Sequence, residues 1–138
     1  MAARNVLSVL ATVALAALVS ACTTPSAPAD PATQRLVGRW SQVLTFNDIR
    51  DELAIELRPD ATVNVKVRRH SGSGINEYAG SGKWRVEEGY FVSELAWSGP
   101  RDAVNHLVGR HRIVSVSDWQ WVSQYRKQEQ LTAWRYPK

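Results

Sequence analysis

Few residues of this chain belong to the types that carry out covalent or acid–base chemistry. The chain has one cysteine, Cys22, and three histidines. His106 and His111 are five residues apart, so on one strand they would face opposite sides of the sheet. Neither has an evident carboxylate or nucleophile at a fixed spacing. We therefore expect surface or loop histidines, and a protein that is not an enzyme and uses no metal or cofactor.

The single cysteine has no partner in its own chain for a disulfide or a cysteine-based metal site. A catalytic thiol would need an activating group, yet the next histidine, His70, lies far along the chain. Cys22 follows an apolar run, 6–19, of about 14 residues, which is too short to span a bilayer but typical of a secretory signal peptide. The alternative is an ordinary secreted protein with a free cysteine near its start.

The order Val19-Ser20-Ala21-Cys22 resembles the lipobox of bacterial lipoproteins. That resemblance implies that the signal peptide, 1–21, is removed and that the sulfur of Cys22 receives a diacylglyceryl group. Acyl chains such as palmitate would then anchor the protein, since each buried methylene contributes about 0.8 kcal/mol. Thr23 follows the cysteine in place of the aspartate that favours the inner membrane. The resemblance thus implies the outer membrane, with the protein facing the periplasm and bound to membrane lipid through acylated Cys22.

The segment after the cysteine, 22–35, contains three prolines and no bulky apolar residue. We expect it to be a disordered, extended tether of roughly 40 Å. The remaining residues, 36–138, are enough for one domain. The formal charge of +4 for the whole chain is modest, so nucleic acid is not expected as a partner.

Alternation of apolar and polar residues dominates this domain. Leu53, Ile55 and Leu57 alternate with polar or small residues, and the same pattern resumes at Val63. A common inward face requires 58 to pair with 62, which predicts a three-residue turn whose last residue, Ala61, takes a left-handed conformation. Eight candidate strands follow one another with short connections: 39–46, 51–58, 62–70, 76–87, 90–98, 107–117, 119–125 and 129–136. This all-β pattern predicts an eight-stranded antiparallel up-and-down barrel, which leaves no exposed edge.

The first strand begins with Gly38-x-Trp40, which resembles the signature of the lipocalins. In that family the tryptophan closes one end of the barrel and an arginine from the last strand lies across it, which implies that role for Arg135. The motifs Glu-Leu-x-x-x-Leu-x-Pro-Asp-x-Thr and Gly82-x-Trp84-x-Val resemble small bacterial lipocalin-like lipoproteins, although Ala61 replaces a frequent glycine. The resemblance implies a barrel that is either filled by its own side chains or able to hold one small ligand.

Two groups of residues are candidates for binding. Most of the six tryptophans are expected in the core, but no motif gives a structural role to Trp97, Trp119 or Trp121. These three are therefore the candidate ligand-binding residues. The second group is a candidate partner loop, faintly similar to a Ser-Gly-x-x-Tyr loop of membrane-bound lysozyme inhibitors, although the spacing to Tyr78 is one residue longer. It consists of Ser71, Gly72, Ser73, Gly74 and Ile75.

Basic residues also cluster around 66–70 and 83–85. The predicted register places Glu52 opposite Arg68 and Glu56 diagonal to Lys66, which favours a solvated face of ion pairs. The alternative for these residues is contact with anionic lipid or glycan.

Together these patterns predict a membrane-anchored periplasmic lipoprotein whose barrel binds a small apolar ligand or recognises a component of the envelope. The alternative is a module directed at a protein, either an inhibitor of a wall-degrading enzyme or an envelope assembly factor. The oligomeric state stays open.

Overall fold

The structure is a computed structural model that describes residues 30–99, 105–127 and 129–136. Cys22, the predicted signal peptide and residues 22–29 of the predicted tether lie outside these ranges, so the predictions made for them stay predictions. Within the described ranges, no helix is both long enough and apolar enough to cross a membrane.

Eight antiparallel strands form a closed barrel in which each strand pairs with the next and the last pairs with the first. This architecture confirms the predicted lipocalin-like, up-and-down fold. The strands are β1 (Gly38–Phe46), β2 (Ile49–Leu57), β3 (Thr62–Ser71), β4 (Gly74–Glu87), β5 (Tyr90–Ser98), β6 (Asn105–Val116), β7 (Gln120–Arg126) and β8 (Glu129–Arg135).

The turn between β2 and β3 has the predicted register. Leu57 is opposite Val63, and the backbone N–H of Arg58 donates to the Thr62 carbonyl at 3.0 Å. Ala61 has the expected left-handed backbone, with φ of 66°. The Asp60 carboxylate supports the turn because it accepts hydrogen bonds from the Thr62 hydroxyl and backbone N–H, at 2.6 and 3.0 Å. These bonds lower the pKa of Asp60.

A short helix, α1 (Pro31–Leu36), precedes the barrel. The prediction of extended chain is therefore wrong for 31–35. The Asp30 side chain accepts a hydrogen bond from the Ala32 N–H at 3.1 Å, and Pro31 occupies the first turn, where its missing N–H costs nothing. Leu36 ends the helix and is fully buried, so its side chain helps to fix the helix to the barrel.

One end of the barrel is closed by packed aromatic rings. Trp121 lies against Trp40 and Phe91, with ring centroids 6.0 and 4.7 Å away, and Phe91 stacks on Trp84 at 6.0 Å. All four side chains are buried. The other end of the barrel is the mouth, where the hairpin between β1 and β2 leaves Phe46 exposed. The barrel thus has a packed floor and a solvated mouth.

The seam between β1 and β8 is short. Among the described residues of the two strands, pairing covers three positions, from Trp40 opposite Arg135 to Gln42 opposite Ala133. By contrast, β1 pairs with β2 along its whole length, from Gly38 to Phe46. The two strands that close the barrel therefore meet near the closed end and are not paired towards the mouth.

Candidate ligand-binding cavity

The closed end is completed by Arg135 and Gly38. The guanidinium carbon of Arg135 lies 4.3 Å from the centroid of the Trp40 ring, which is the stacking implied by the lipocalin resemblance. Its two terminal nitrogens donate to the carbonyls of Val37 and Arg35, at 2.9 and 2.6 Å. Gly38 has φ of 138°, and a Cβ there would overlap Arg135 Nη1. Position 38 thus requires glycine for two reasons. Its backbone conformation is one that other residues rarely adopt, and a side chain there would overlap Arg135.

The tryptophans of this end differ in their hydrogen bonds. The indole N–H of Trp40 donates to the Leu36 carbonyl at 2.7 Å, and that of Trp84 donates to the Arg58 carbonyl at 3.1 Å. Trp121 is equally buried, with 5% of its surface exposed. Its indole N–H, however, has no acceptor among the described residues. A buried donor without an acceptor is unusual and costs about 1 to 3 kcal/mol.

A cavity of about 140 Å³ lies above this floor, lined by residues from every strand except β4. The inward positions of β4 at this level are Gly80 and Gly82, opposite Trp97 and Leu95. A Cβ on Gly80 would lie 3.0 Å from the Trp97 ring. The two glycines therefore let β5 and its tryptophan approach β4 closely. Trp97 lines the cavity on that side.

Four polar side chains face the cavity from four different strands: Gln42, Ser93, His111 and Ser123. Gln42, Ser93 and Ser123 are 9, 7 and 4% exposed. Burial lowers the pKa of His111 below its ordinary 6.5, so its imidazole is neutral at pH 7. No lysine, arginine, aspartate or glutamate is among the described residues that line this cavity. The space is thus polar at one level but uncharged.

Two of the three candidate ligand-binding tryptophans line this cavity. Trp97 and Trp121 do so, whereas Trp119 is 70% exposed and lies in the bend before β7. The sequence reading began the strand at Trp119, but the strand begins at Gln120. The structure therefore brings Trp97 and Trp121 together and leaves Trp119 on the outside.

The expectation of surface histidines is right for His106 and wrong for His111. His106 is exposed, but His111 faces inwards, opposite Phe91, and its ring lies 5.1 Å from that of Tyr125. The sequence analysis also missed Gln42, Ser93 and Ser123. A signal was present, since each stands two residues after a floor aromatic: Trp40, Phe91 and Trp121. Residues two apart on a strand share a face, so the pattern places a polar layer directly above an aromatic one.

The candidate partner loop is a tight hairpin. Ser71 is paired with Gly74, so only Gly72 and Ser73 form the turn. Gly74 has φ of 116°, and the hydroxyls of Ser71 and Ser73 lie 2.9 Å apart. Ile75 is 59% exposed. The segment is thus part of the sheet and presents one apolar side chain near the mouth.

The outer basic residues are largely paired, although not all as predicted. Glu52 is opposite Arg68 in the register, but its carboxylate lies 3.2 Å from the Arg50 guanidinium and 3.6 Å from the His70 imidazole. Arg68 instead approaches Glu77 at 3.4 Å. These residues border a wider depression of about 880 Å³ on the solvated side of the sheet. Its exposed ion pairs contribute little binding energy, so the central cavity is the better candidate site.

Arg69 differs from the other basic residues because it points towards the interior at the mouth. Its guanidinium donates two hydrogen bonds to the Asp51 carboxylate, at 2.8 and 2.7 Å. The carboxylate raises the pKa of Arg69 further above its ordinary value. This bidentate pair satisfies both charges at the rim of the barrel.

Among the residues that the structure describes, no group of three or more histidines, cysteines, aspartates or glutamates is close enough to hold a metal ion. Comparison with known proteins finds no protein-family model and no curated protein that matches the chain. The fold and the cavity define the class, a lipocalin-like barrel compatible with ligand binding.

Proposed function

We propose that this protein is a lipid-anchored periplasmic lipoprotein whose barrel binds one small molecule in its interior, without catalysing its conversion. The observation that carries the proposal is the cavity of about 140 Å³ between the aromatic floor and the mouth. A barrel filled by its own side chains would have no such space. The cavity combines apolar walls with a few polar groups, as small-molecule sites commonly do.

Native mass spectrometry of the purified full chain tests the binding of a ligand. We expect a mass increment from a small molecule that the chain retains. Alternatively, we expect an apolar dye to bind in the cavity with enhanced fluorescence, and the retained molecule to displace it. The chemically unfolded chain is the control for non-specific dye binding. A folded chain with no retained molecule and no dye binding would contradict the proposal.

The anchor is tested separately, since it depends on Cys22 and the lipobox alone. We expect a palmitate analogue to label the wild-type chain in cells and the label to travel with the outer membrane on a density gradient. Cys22→Ser should remove the label and release the chain into the soluble fraction, whereas Ser26→Ala in the predicted tether should change neither. A labelled Cys22→Ser chain would exclude acylation at this residue.

A second function, as a module directed at a protein, is favoured by the exposed Ile75 beside the hairpin turn. An inhibitor of a wall-degrading enzyme would reduce the activity of a lysozyme in a turbidity assay. We expect Ile75→Ser to weaken that inhibition and Val43→Ser, at a similarly exposed residue, to leave it intact. If both variants inhibit the lysozyme equally, the hairpin does not mediate the inhibition.

A further inference from the structure

The indole N–H of Trp121 is a buried donor without an acceptor among the described residues, as is the Nε of Arg135, but only Trp121 lines the cavity. The side chain is 95% buried, lines the cavity and has no acceptor among the described residues. The floor tryptophans beside it, Trp40 and Trp84, both donate their indole N–H to a backbone carbonyl. A molecule in the cavity that accepts a hydrogen bond would remove the cost of the unpaired donor.

The size of the cavity limits that molecule. At about 140 Å³ it is well below the range of roughly 300 to 1,000 Å³ typical of drug-sized ligands. It is close to the engineered apolar cavity of about 150 Å³ that takes up benzene. A single ring or a body of similar volume therefore fits, whereas a long acyl chain does not.

The lining fixes the arrangement of polar and apolar parts. The floor below the ligand is made by the rings of Trp121 and Phe91, whose centroids are 4.7 Å apart. The hydroxyls of Ser93 and Ser123 and the amide of Gln42 face the cavity one layer higher, each two residues along its strand from a floor aromatic. A ligand with an apolar body and at least one polar group matches both layers.

Charge is disfavoured in this position. None of the described lining residues is a lysine, arginine, aspartate or glutamate, and burial lowers the pKa of the half-buried His111, which favours its neutral form at pH 7. The nearest inward ion pair, Asp51 with Arg69, is already bidentate and satisfied. An ionised ligand would lose its hydration without gaining a counter-charge, which is expensive in a protein interior.

We propose that the ligand is a small uncharged molecule, about the size of one aromatic ring, with a hydrogen-bond acceptor that binds the Trp121 N–H. The hydroxyls and amide of the polar layer complete its hydrogen bonds. This inference rests on the proposed function, that the barrel interior binds a ligand, and adds the chemistry of that ligand.

Three probes of similar size separate the requirements: phenol has a hydroxyl, benzene has no polar group, and benzoate is charged. Dissociation constants for the full chain are measured by titration with ligand-observed NMR. We expect phenol to bind about three- to ten-fold more tightly than benzene, the range that one net hydrogen bond supplies, and benzoate not to bind detectably.

Trp121→Phe removes the N–H while keeping an aromatic ring at the floor. We expect phenol affinity to fall about three- to ten-fold and benzene affinity to stay within about two-fold of wild type, a difference too small to represent a full hydrogen bond. The matched control is Trp119→Phe, which makes the same change at an exposed residue and should alter neither affinity. A thermal unfolding curve for each variant shows that the fold is retained.

The outcomes distinguish this inference from the function on which it rests. Equal affinity for phenol and benzene, tight binding of benzoate, or unchanged phenol affinity in Trp121→Phe would overturn the inference and leave a ligand-binding barrel. A larger or charged molecule retained in native mass spectrometry would have the same effect. Failure of all probes together with no retained molecule would overturn the proposed function itself.

Discussion

The aromatic floor and the polar layer above it are built from the same strands, two residues apart. In the floor, Trp40 and Trp84 have hydrogen-bonded indoles and every ring packs against another. In the layer above, Ser93 and Ser123 place hydroxyls in the buried interior, beside the cavity. Burying polar groups costs stability unless they find partners. The comparison assigns stability to the lower layer, apart from the unpaired indole N–H of Trp121, and recognition to the upper one.

Trp40→Ala should produce the largest loss of stability. The side chain is fully buried, touches Trp121 and supports Arg135, so its removal should lower the free energy of unfolding by about 3 to 5 kcal/mol. Urea denaturation followed by circular dichroism measures the change. Trp119→Ala, at the exposed tryptophan, should stay within about 0.5 kcal/mol of wild type. Equal losses of stability in Trp40→Ala and Trp119→Ala would contradict the assignment of stability to the aromatic floor.

Arg135→Ala should have the next largest effect, about 2 kcal/mol. It removes the guanidinium from the Trp40 ring and leaves the carbonyls of Val37 and Arg35 without donors. Arg135→Lys keeps the charge but not the planar fork, so its free energy of unfolding should lie between those of wild type and Arg135→Ala. If Arg135→Lys is as stable as wild type, the positive charge alone accounts for the contribution of Arg135 to stability.

The pH dependence of stability distinguishes His111, which lines the cavity, from the carboxylates of Glu56 and Asp60. Because the pKa of His111 is lowered in the folded protein, the unfolded chain binds a proton more readily. The stability that this group contributes is therefore present above its ordinary pKa of 6.5 and is lost as pH falls below that value. Glu56 and Asp60 also have lowered pKa values, so the stability that they contribute is lost only as pH falls below their ordinary values of 4.5 and 3.8. His111→Gln should remove the decline that begins near pH 6.5 and keep the more acidic one.

Ser123→Ala should have the smallest effect on stability, within about 1 kcal/mol and of either sign. It removes one hydroxyl from the polar layer and preserves the rest of the side chain. If the layer serves recognition, the same change should weaken the binding of phenol about two- to ten-fold. Isothermal unfolding and the NMR titration, performed on one sample, separate the two effects. A large loss of stability with unchanged affinity would reverse the assignment.

The fold followed from the sequence because strand alternation and turn geometry are local. The position of Ala61 and the register of Leu57 with Val63 followed from this local pattern, whereas the stacking of Arg135 on Trp40 was implied by the lipocalin resemblance. The helix before the barrel was missed because prolines suggested an extended chain, although Asp30-Pro31 is also a good helix start.

The cavity was harder to predict than the fold because it depends on which side chains are absent from a small volume. Gly80 and Gly82 let β5 and Trp97 lie close to β4, and that close approach does not follow from a pattern in the sequence. His111 was expected at the surface because it has no evident carboxylate or nucleophile at a fixed spacing. Only the pairing of β5 with β6 shows that it faces inwards, opposite Phe91.

The short seam between β1 and β8 also determines how the barrel forms. Its strands come from the two ends of the domain, so Ser41 meets Trp134 across 93 residues of chain. Contacts of such long range are slow to form, because the entropy of loop closure must be overcome first. With pairing at three positions among the described residues, this joint is expected to close last during folding and to open first in the native state. Amide hydrogen exchange along β1 should then be fastest from Val43 to Phe46, on the side where the interior is nearest to solvent.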